Sequence, residues 1–194
     1  MAHPIPVTLM TGAPATALGR LFTCLLNSTS RYPVALISDA GGVRAAVTLT
    51  ICFGGVGRTS AGPDCLSALR RLANVRYETS RLVLHTSSMT STNVAQLLAS
   101  NADISDAYVL DETVAVLDLT SVPAPDLGQC VANALIEQVD TVLLTSTRAV
   151  SAKRITMTID HVRRRNSRAR ILNAVNNDAA LASLFHLGPV LSSA

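Results

Sequence analysis

The stretch PVTLMTGAPATALGRLFTCLL, from Pro6 to Leu26, decides the fold that the sequence predicts. Its apolar run from Val7 to Met10 is typical of a buried strand, and a helical pattern follows from about Ala15 to Asn27. Between them, Gly12 opens a tight loop. A strand, a glycine loop and a helix in this order are the geometry of a phosphate-binding loop, which is written G-x-x-x-x-G-K-[ST].

Most residues that give such a loop its chemistry are absent. Gly12 holds the first position, but the last three positions are filled by Ala17, Leu18 and Gly19. The lysine that pairs with phosphates is therefore replaced by an apolar side chain, and the hydroxyl that binds Mg²⁺ is missing. Arg20, one turn into the predicted helix, offers the nearest positive charge. The stretch predicts the architecture of a nucleotide site without its usual binding groups.

Strand-like and helical patterns alternate along the rest of the chain. The further predicted strands are Val34–Ser38, Val47–Cys52, Arg81–His85, Thr113–Leu119, Thr141–Thr145 and Arg170–Leu172. The further predicted helices are Cys65–Val75, Asn93–Ser100, Leu127–Gln138, Ala152–Arg165 and Asp178–Leu184, with Asp64 and Ser151 as N-caps of the first and fourth. Gly54–Pro63 reads as a glycine-rich loop. The alternation predicts one α/β domain over residues 1–194, with three layers and a mainly parallel sheet between helices on both faces.

The composition indicates an unusually apolar surface. The 194 residues are 48% hydrophobic and only 15% charged, whereas roughly 25% charged residues are typical of soluble domains. Either part of this surface is buried against a protein partner or a second copy of the chain, or it is rich in Ala, Ser and Thr and merely neutral.

Charge and cysteine usage limit the functional classes. The net charge of +3 is too small to imply nucleic-acid binding by itself. The four cysteines are scattered, form no CxxC pair and follow no signal-peptide pattern, which favours reduced thiols in the cytoplasm. No apolar run is long enough to cross a membrane. The basic cluster HVRRRNSRAR, from His161 to Arg170, is either a solvated helix end or a nucleic-acid patch, and it carries no aromatic residue for base stacking.

Several segments in order resemble the nucleotide-binding domain of CobW-type P-loop GTPases, metallochaperones related to UreG and HypB. PVTLMTG is similar to PVTVLTG, LISDAGG to VNDFGE, RLVLHTSSM to LVIETSGL, TVAVLDL to VVTVVDA, and QVDTVLLTSTRAV to QADRIVLNKTDLV. The resemblance extends to about Leu172. It implies a P-loop NTPase-like G domain, GTP with Mg²⁺ as cofactors, and zinc or cobalt homeostasis as the setting. The family usually has a second, C-terminal domain, which we expect this chain to lack.

The chain departs from the family at each motif that carries chemistry. The family's ETSG is replaced by His85–Ser88, and its base-reading NKxD by Thr145–Arg148. In the family, the aspartate carboxylate that ends NKxD accepts hydrogen bonds from guanine, whereas Arg148 can only donate hydrogen bonds. The metal-binding CxCC motif retains only Cys52, and zinc needs about four nitrogen or sulfur ligands. Cys65 and His85 are further candidate ligands if the fold brings them together.

Two acidic positions of the family are retained. Asp39 follows the second predicted strand and Asp118 ends the strand TVAVLDL. By resemblance both belong to the nucleotide site. Each also has a structural interpretation, since Asp39 can begin a turn before Gly41 and Asp118 can cap the loop that follows it.

The resemblance and the losses together predict a pseudo-GTPase that acts as a binding or regulatory module linked to metal homeostasis. Two alternatives remain. One is an active GTP-dependent metallochaperone in which Arg20 supplies the missing phosphate charge. The other is an RNA- or ribosome-associated factor that uses Arg163–Arg170.

Overall fold

The structure is a computed structural model, which describes residues 3–12, 34–38, 47–53, 56–62, 64–75, 79–86, 91–120, 131–175, 180 and 183–184. The strands are β1 Ile5–Thr11, β2 Val34–Ser38, β3 Val47–Phe53, β4 Val56–Gly62, β5 Arg81–Thr86, β6 Tyr108–Asp118, β7 Thr141–Thr145 and β8 Arg170–Asn173. The helices are α1 Cys65–Val75, α2 Ser91–Ser100, α3 Ala102–Ser105, α4 Val131–Glu137 and α5 Ala152–Arg165. The predicted first helix lies outside the described residues. Of the predicted last helix the structure describes Ala180, Ser183 and Leu184, which are helical.

The strands form a single sheet in the order β4-β3-β2-β5-β1-β6-β7-β8. Six consecutive strands, from β2 to β8, run parallel, and β3 and β4 extend the β2 edge as antiparallel strands. Parallel neighbours need long crossover connections, which the intervening helices provide. The predicted α/β class with a mainly parallel sheet is confirmed.

The glycine-rich loop predicted over Gly54–Pro63 is wrong. Residues Val56–Gly62 form β4, which pairs with β3 in an unbroken register from Phe53↔Val56 to Val47↔Gly62. Gly54 and Gly55 are the two residues between the paired strands, and a glycine pair is a strong signal for a two-residue hairpin. Glycine content favours an irregular loop, but here cross-strand pairing outweighs the weak strand preference of these residues.

Strand β6 begins five residues earlier than predicted and contains a bulge. β1 pairs with β6 at Val7↔Leu110 and then at Thr8↔Glu112, which leaves Asp111 unpaired between them. The Asp111 carboxylate lies 2.8 Å from a guanidinium nitrogen of Arg81, whose side chain is almost fully buried. Arg81 also donates to the Thr8 hydroxyl at 2.6 Å. The bulge thus supplies the counter-ion that a buried arginine requires.

Alternation along the strands divides the core between two faces. On one face, β1 and β5 pack on α1 and α2 through Val7, Leu9, Leu82, Leu84, Leu69, Leu72, Val94 and Leu98. On the same face, β6 and β7 pack on α4 and α5 through Ala115, Leu117, Val142, Leu144, Ile136 and Val162. On the opposite face, Met10, Val83, Val116 and Leu143 pack with Ala180 and Leu184. Burying strand residues on both faces accounts for their nearly continuous apolar runs.

Side chains at helix ends secure the connections that surround the sheet. Asp64 accepts from the Ser67 N–H at 2.7 Å, and Ser151 from the Arg154 N–H at 3.3 Å, so both predicted caps are confirmed. Beyond α5, the amide of Asn166 donates to the carbonyls of Ile136 and Val139, both at 2.9 Å. None of the helices in the described ranges is long and apolar enough to cross a membrane.

Candidate ligand site at the carboxyl edge of the sheet

Four parallel strands end at one edge of the sheet, where α/β proteins commonly bind ligands. The register places Thr11 beside Thr86 and Asp118 beside Thr145, so the ends of β1, β5, β6 and β7 are neighbours. Of the predicted site residues, Gly12 and Asp118 lie at this edge. The others on the phosphate loop and after β2, namely Ala17, Leu18, Gly19, Arg20 and Asp39, lie outside the described residues.

Gly12 has a local structural reason to be glycine. Its φ of +77° lies in the left-handed region, which other residues rarely adopt. A Cβ at this position would lie 3.2 Å from the Val116 carbonyl oxygen and 3.3 Å from Cδ1 of Leu135. Close packing against β6 and α4 therefore requires this glycine, whether or not a phosphate binds nearby.

Asp118 caps the turn that follows β6. Its Oδ1 accepts from the Thr120 N–H at 2.8 Å and from the Thr120 hydroxyl at 2.6 Å. The residue is only 4% exposed, so these two bonds satisfy a carboxylate oxygen that is withdrawn from bulk water. This geometry agrees with the structural interpretation of Asp118, in which the residue caps the loop that follows it.

A short relay of hydroxyl groups links the ends of β6 and β7. The Thr120 and Thr147 hydroxyl oxygens are 2.9 Å apart. Since Thr120 gives its only hydroxyl proton to Asp118, Thr147 must be the donor in this contact. The side-chain oxygen of Thr147 therefore keeps lone pairs but no proton for a ligand.

A cavity of about 500 Å³ opens beyond the ends of β6 and β7. It is lined by Leu119, Thr120, Thr147, Arg148, Ala149, Val150, Ser151 and Arg154. The charged side chains among these described residues are both arginines, and the N-terminal end of α5 adds the partial positive charge of a helix dipole. The cavity is therefore a cationic and hydroxyl-rich site.

The cavity does not fit the guanine recognition that the resemblance implies. Its residues Thr147 and Arg148 belong to the segment that aligns with the base-reading motif. Guanine recognition there requires a carboxylate acceptor, and Arg148 presents five donors and no acceptor. Arg148, which stands where the family has a carboxylate, thus lies at the surface of the cavity.

His85 is the next-to-last residue of β5, at a position where the resemblance places an acid near Mg²⁺. It is 2% exposed, and its Nδ1 lies 3.0 Å from the Ser38 hydroxyl. The neighbouring Leu84 packs on the α1 face together with Cys65, so His85 points to the opposite face of the sheet. The suggestion that Cys65 and His85 form a metal site is therefore wrong.

The structure supports no metal site among the residues that it describes. Within these ranges, no group of three His, Cys, Asp or Glu side chains converges as metal ligands would. Cys52 lies in β3, opposite Val34 of β2, and its side chain is outside the described part of the chain.

The arginine cluster at the end of α5 is partly neutralised. Arg165 lies 3.2 Å from Glu137, and Arg170 lies 2.8 Å from Glu112. Burial, together with the charges of Arg165 and Arg164, holds the pKa of His161 below its usual range. The cluster generates a local positive potential while two of its members already have acidic partners.

Comparison with known proteins supports the fold. No protein-family model matches the sequence, and no curated protein matches it significantly. The Zn(II)-bound YjiA GTPase from E. coli aligns with 88% of the chain at a TM-score of 0.61 and 24% identity. The chain has the fold of a GTPase. A Zn(II)-bound triple mutant of the YjiA GTPase aligns with 89% of the chain at a TM-score of 0.60 and 24% identity. The chain spans 57% and 58% of the lengths of these two proteins.

Sequence reasoning missed two residues of the cavity. The sequence carries a signal for Thr120, since an acid followed two positions later by a hydroxyl residue is a common turn signature. For Arg154 the sequence predicts only a place in a helix, whereas the structure places it in the first turn of α5, at the sheet edge.

Proposed function

We propose that this chain is a pseudo-GTPase: a GTPase-fold domain that does not hydrolyse GTP and acts as a binding or regulatory module. The observation that carries the proposal is Arg148, which lines the cavity beside Thr147 where the resemblance requires a base-reading carboxylate. A guanidinium cannot accept the hydrogen bonds that guanine donates.

The remaining support comes from the phosphate positions of the sequence. Leu18 and Gly19 stand where lysine and Ser/Thr would contact phosphate and Mg²⁺. GTP hydrolysis depends on electrostatic stabilisation of charge at the phosphates. A chain that lacks the phosphate-binding lysine, the Mg²⁺-binding hydroxyl and the base-reading carboxylate has no evident means of stabilising that charge.

Calorimetric titration with GTP, GDP and ATP in the presence of Mg²⁺ tests the proposal. We expect no saturable binding in the micromolar range and no phosphate release, with the YjiA GTPase as the positive control for the same fold. Micromolar GTP binding with turnover that Arg20→Ala abolishes and Arg163→Ala preserves would contradict the proposal and establish the active alternative.

A link to metal homeostasis is a second candidate. It is supported by the zinc-bound YjiA GTPase and its zinc-bound triple mutant, which share this fold, and by Cys52 in the segment that resembles the CxCC motif. If the chain handles zinc, Cys52→Ser should weaken Zn²⁺ binding in a competition titration with a fluorescent chelator, and Cys65→Ser should leave it unchanged. Equal affinities in both variants and the wild type would argue against this link.

A further inference from the structure

We propose that the cavity at the ends of β6 and β7 binds a small molecule that carries a phosphate group, held by Arg148. This inference rests on the proposed function, since it takes the loss of guanine recognition at this site as its starting point. A site with an acid at the position of Arg148 would favour a ligand that donates hydrogen bonds or carries positive charge. This cavity is instead assigned a negatively charged ligand.

The charge of the cavity favours an anion. Among the lining residues that the structure describes, the charged ones are Arg148 and Arg154. Within the described ranges, Arg148 is exposed and forms no ion pair with a carboxylate. The adjacent acid, Asp118, is buried and turns Oδ1 toward Thr120. An incoming phosphate therefore meets the Arg148 guanidinium, a group that binds phosphate oxygens through paired hydrogen bonds.

The hydroxyl groups refine this preference. Ser151 Oγ accepts from the Arg154 N–H at 3.3 Å, which leaves the Ser151 hydroxyl proton for a phosphate oxygen. Thr147 has given its proton to Thr120, so it can only accept. A ligand that combines a phosphate with a neighbouring hydroxyl group satisfies both types of contact.

The dimensions of the cavity fit a small molecule. Its volume of about 500 Å³ falls within the roughly 300–1,000 Å³ that is usual for small-molecule sites. The α5 N-terminus at its wall adds a favourable field for negative charge. The cavity therefore suits a compact phosphate ester.

Binding of glycerol 3-phosphate, measured by calorimetry and by amide chemical shifts, tests the proposal on the full chain. Arg148→Gln should weaken binding about tenfold or more, because it removes charge-assisted hydrogen bonds. Arg163→Gln removes an exposed arginine on the same helix as Arg154 and should change the affinity less than about twofold. Unchanged thermal midpoints of both variants will show that they are folded.

The outcomes separate this inference from the proposed function. Saturable binding that depends on Arg148 but not on Arg163 supports the site. No saturable binding at millimolar glycerol 3-phosphate, an equal loss in the two variants, or equally tight binding of citrate would overturn it while leaving the proposed function intact. Micromolar binding of GTP with Mg²⁺ would overturn the proposed function and this inference together.

Discussion

Thr120 donates both its backbone N–H and its hydroxyl group to a single oxygen of Asp118, at 2.8 and 2.6 Å. The pair fixes the turn that leaves β6 and sets the direction of the hydroxyl relay to Thr147. Thr120 and Thr147 line the cationic cavity. A structural role of Asp118 thus shapes the candidate ligand site.

Replacing Thr120 by valine should destabilise the protein. The variant keeps the backbone bond to Asp118 but loses a hydroxyl bond to a buried carboxylate, which we expect to cost about 1.5 kcal/mol in the free energy of unfolding. Thr147→Val removes only the exposed end of the relay and should cost less than about 0.5 kcal/mol. Urea denaturation of both variants measures the difference. Equal losses in the free energy of unfolding would show that the hydroxyl bond to Asp118 stabilises the protein no more than the contact of Thr147 does.

Gly12→Ala should destabilise the protein by about 1–3 kcal/mol, because alanine strains at a positive φ and its Cβ would lie 3.2 Å from the Val116 carbonyl oxygen. Gly12→Asn should cost less, since asparagine tolerates the left-handed region better than alanine. The midpoint of chemical denaturation checks both variants. Wild-type stability in Gly12→Ala would mean that the turn after β1 relaxes without cost.

Tyr108 should make stability fall at alkaline pH. Its hydroxyl group donates to the Leu69 carbonyl at 2.9 Å, and burial raises the pKa of the phenol well above its ordinary value of 10.0. Because the neutral form is favoured in the folded state, its contribution is complete below pH 10.0 and is lost as the pH rises from there toward the folded pKa.

The matched variant Tyr108→Phe isolates this effect. At neutral pH it should lose about 1 kcal/mol, because the Leu69 carbonyl is left without its side-chain donor. Between about pH 8 and pH 10.5 its free energy of unfolding should fall less than that of the wild type, because the ionisable phenol has been removed. Parallel pH dependences would contradict a contribution from Tyr108.

His161 should titrate at a lower pH than a free histidine. Burial and then the charges of Arg165 and Arg164 lower its pKa from 6.5, so it contributes stability above pH 6.5 that is lost as the pH falls through the folded pKa. NMR titration of the imidazole shifts measures the pKa directly. Arg164→Gln should raise it, and Arg168→Gln, which changes an arginine not among the causes of the shift, serves as the control. An unchanged pKa of His161 in Arg164→Gln would exclude an electrostatic contribution of Arg164 to that pKa.

The strands of the parallel sheet were predictable because their patterns are local. Runs such as Val34–Ser38 and Thr141–Thr145 are apolar along their whole length, as burial on both faces requires. The caps Asp64 and Ser151 were predictable for the same reason, since a cap bonds to an N–H only three residues away. The absence of lysine and carboxylate from the nucleotide motifs was also visible without coordinates.

Sequence alone determined the α/β class, most of the helices and strands, and the charge reversal at Arg148. Tertiary structure decided that Val56–Gly62 is a strand, that Asp111 bulges out to meet Arg81, and that Thr120 and Thr147 share a hydrogen bond across 27 positions. Periodicity reports which residues are buried, but strand partners and register depend on contacts between distant segments. The cationic cavity is a property of such contacts, because its walls come from two neighbouring strand ends and the start of α5.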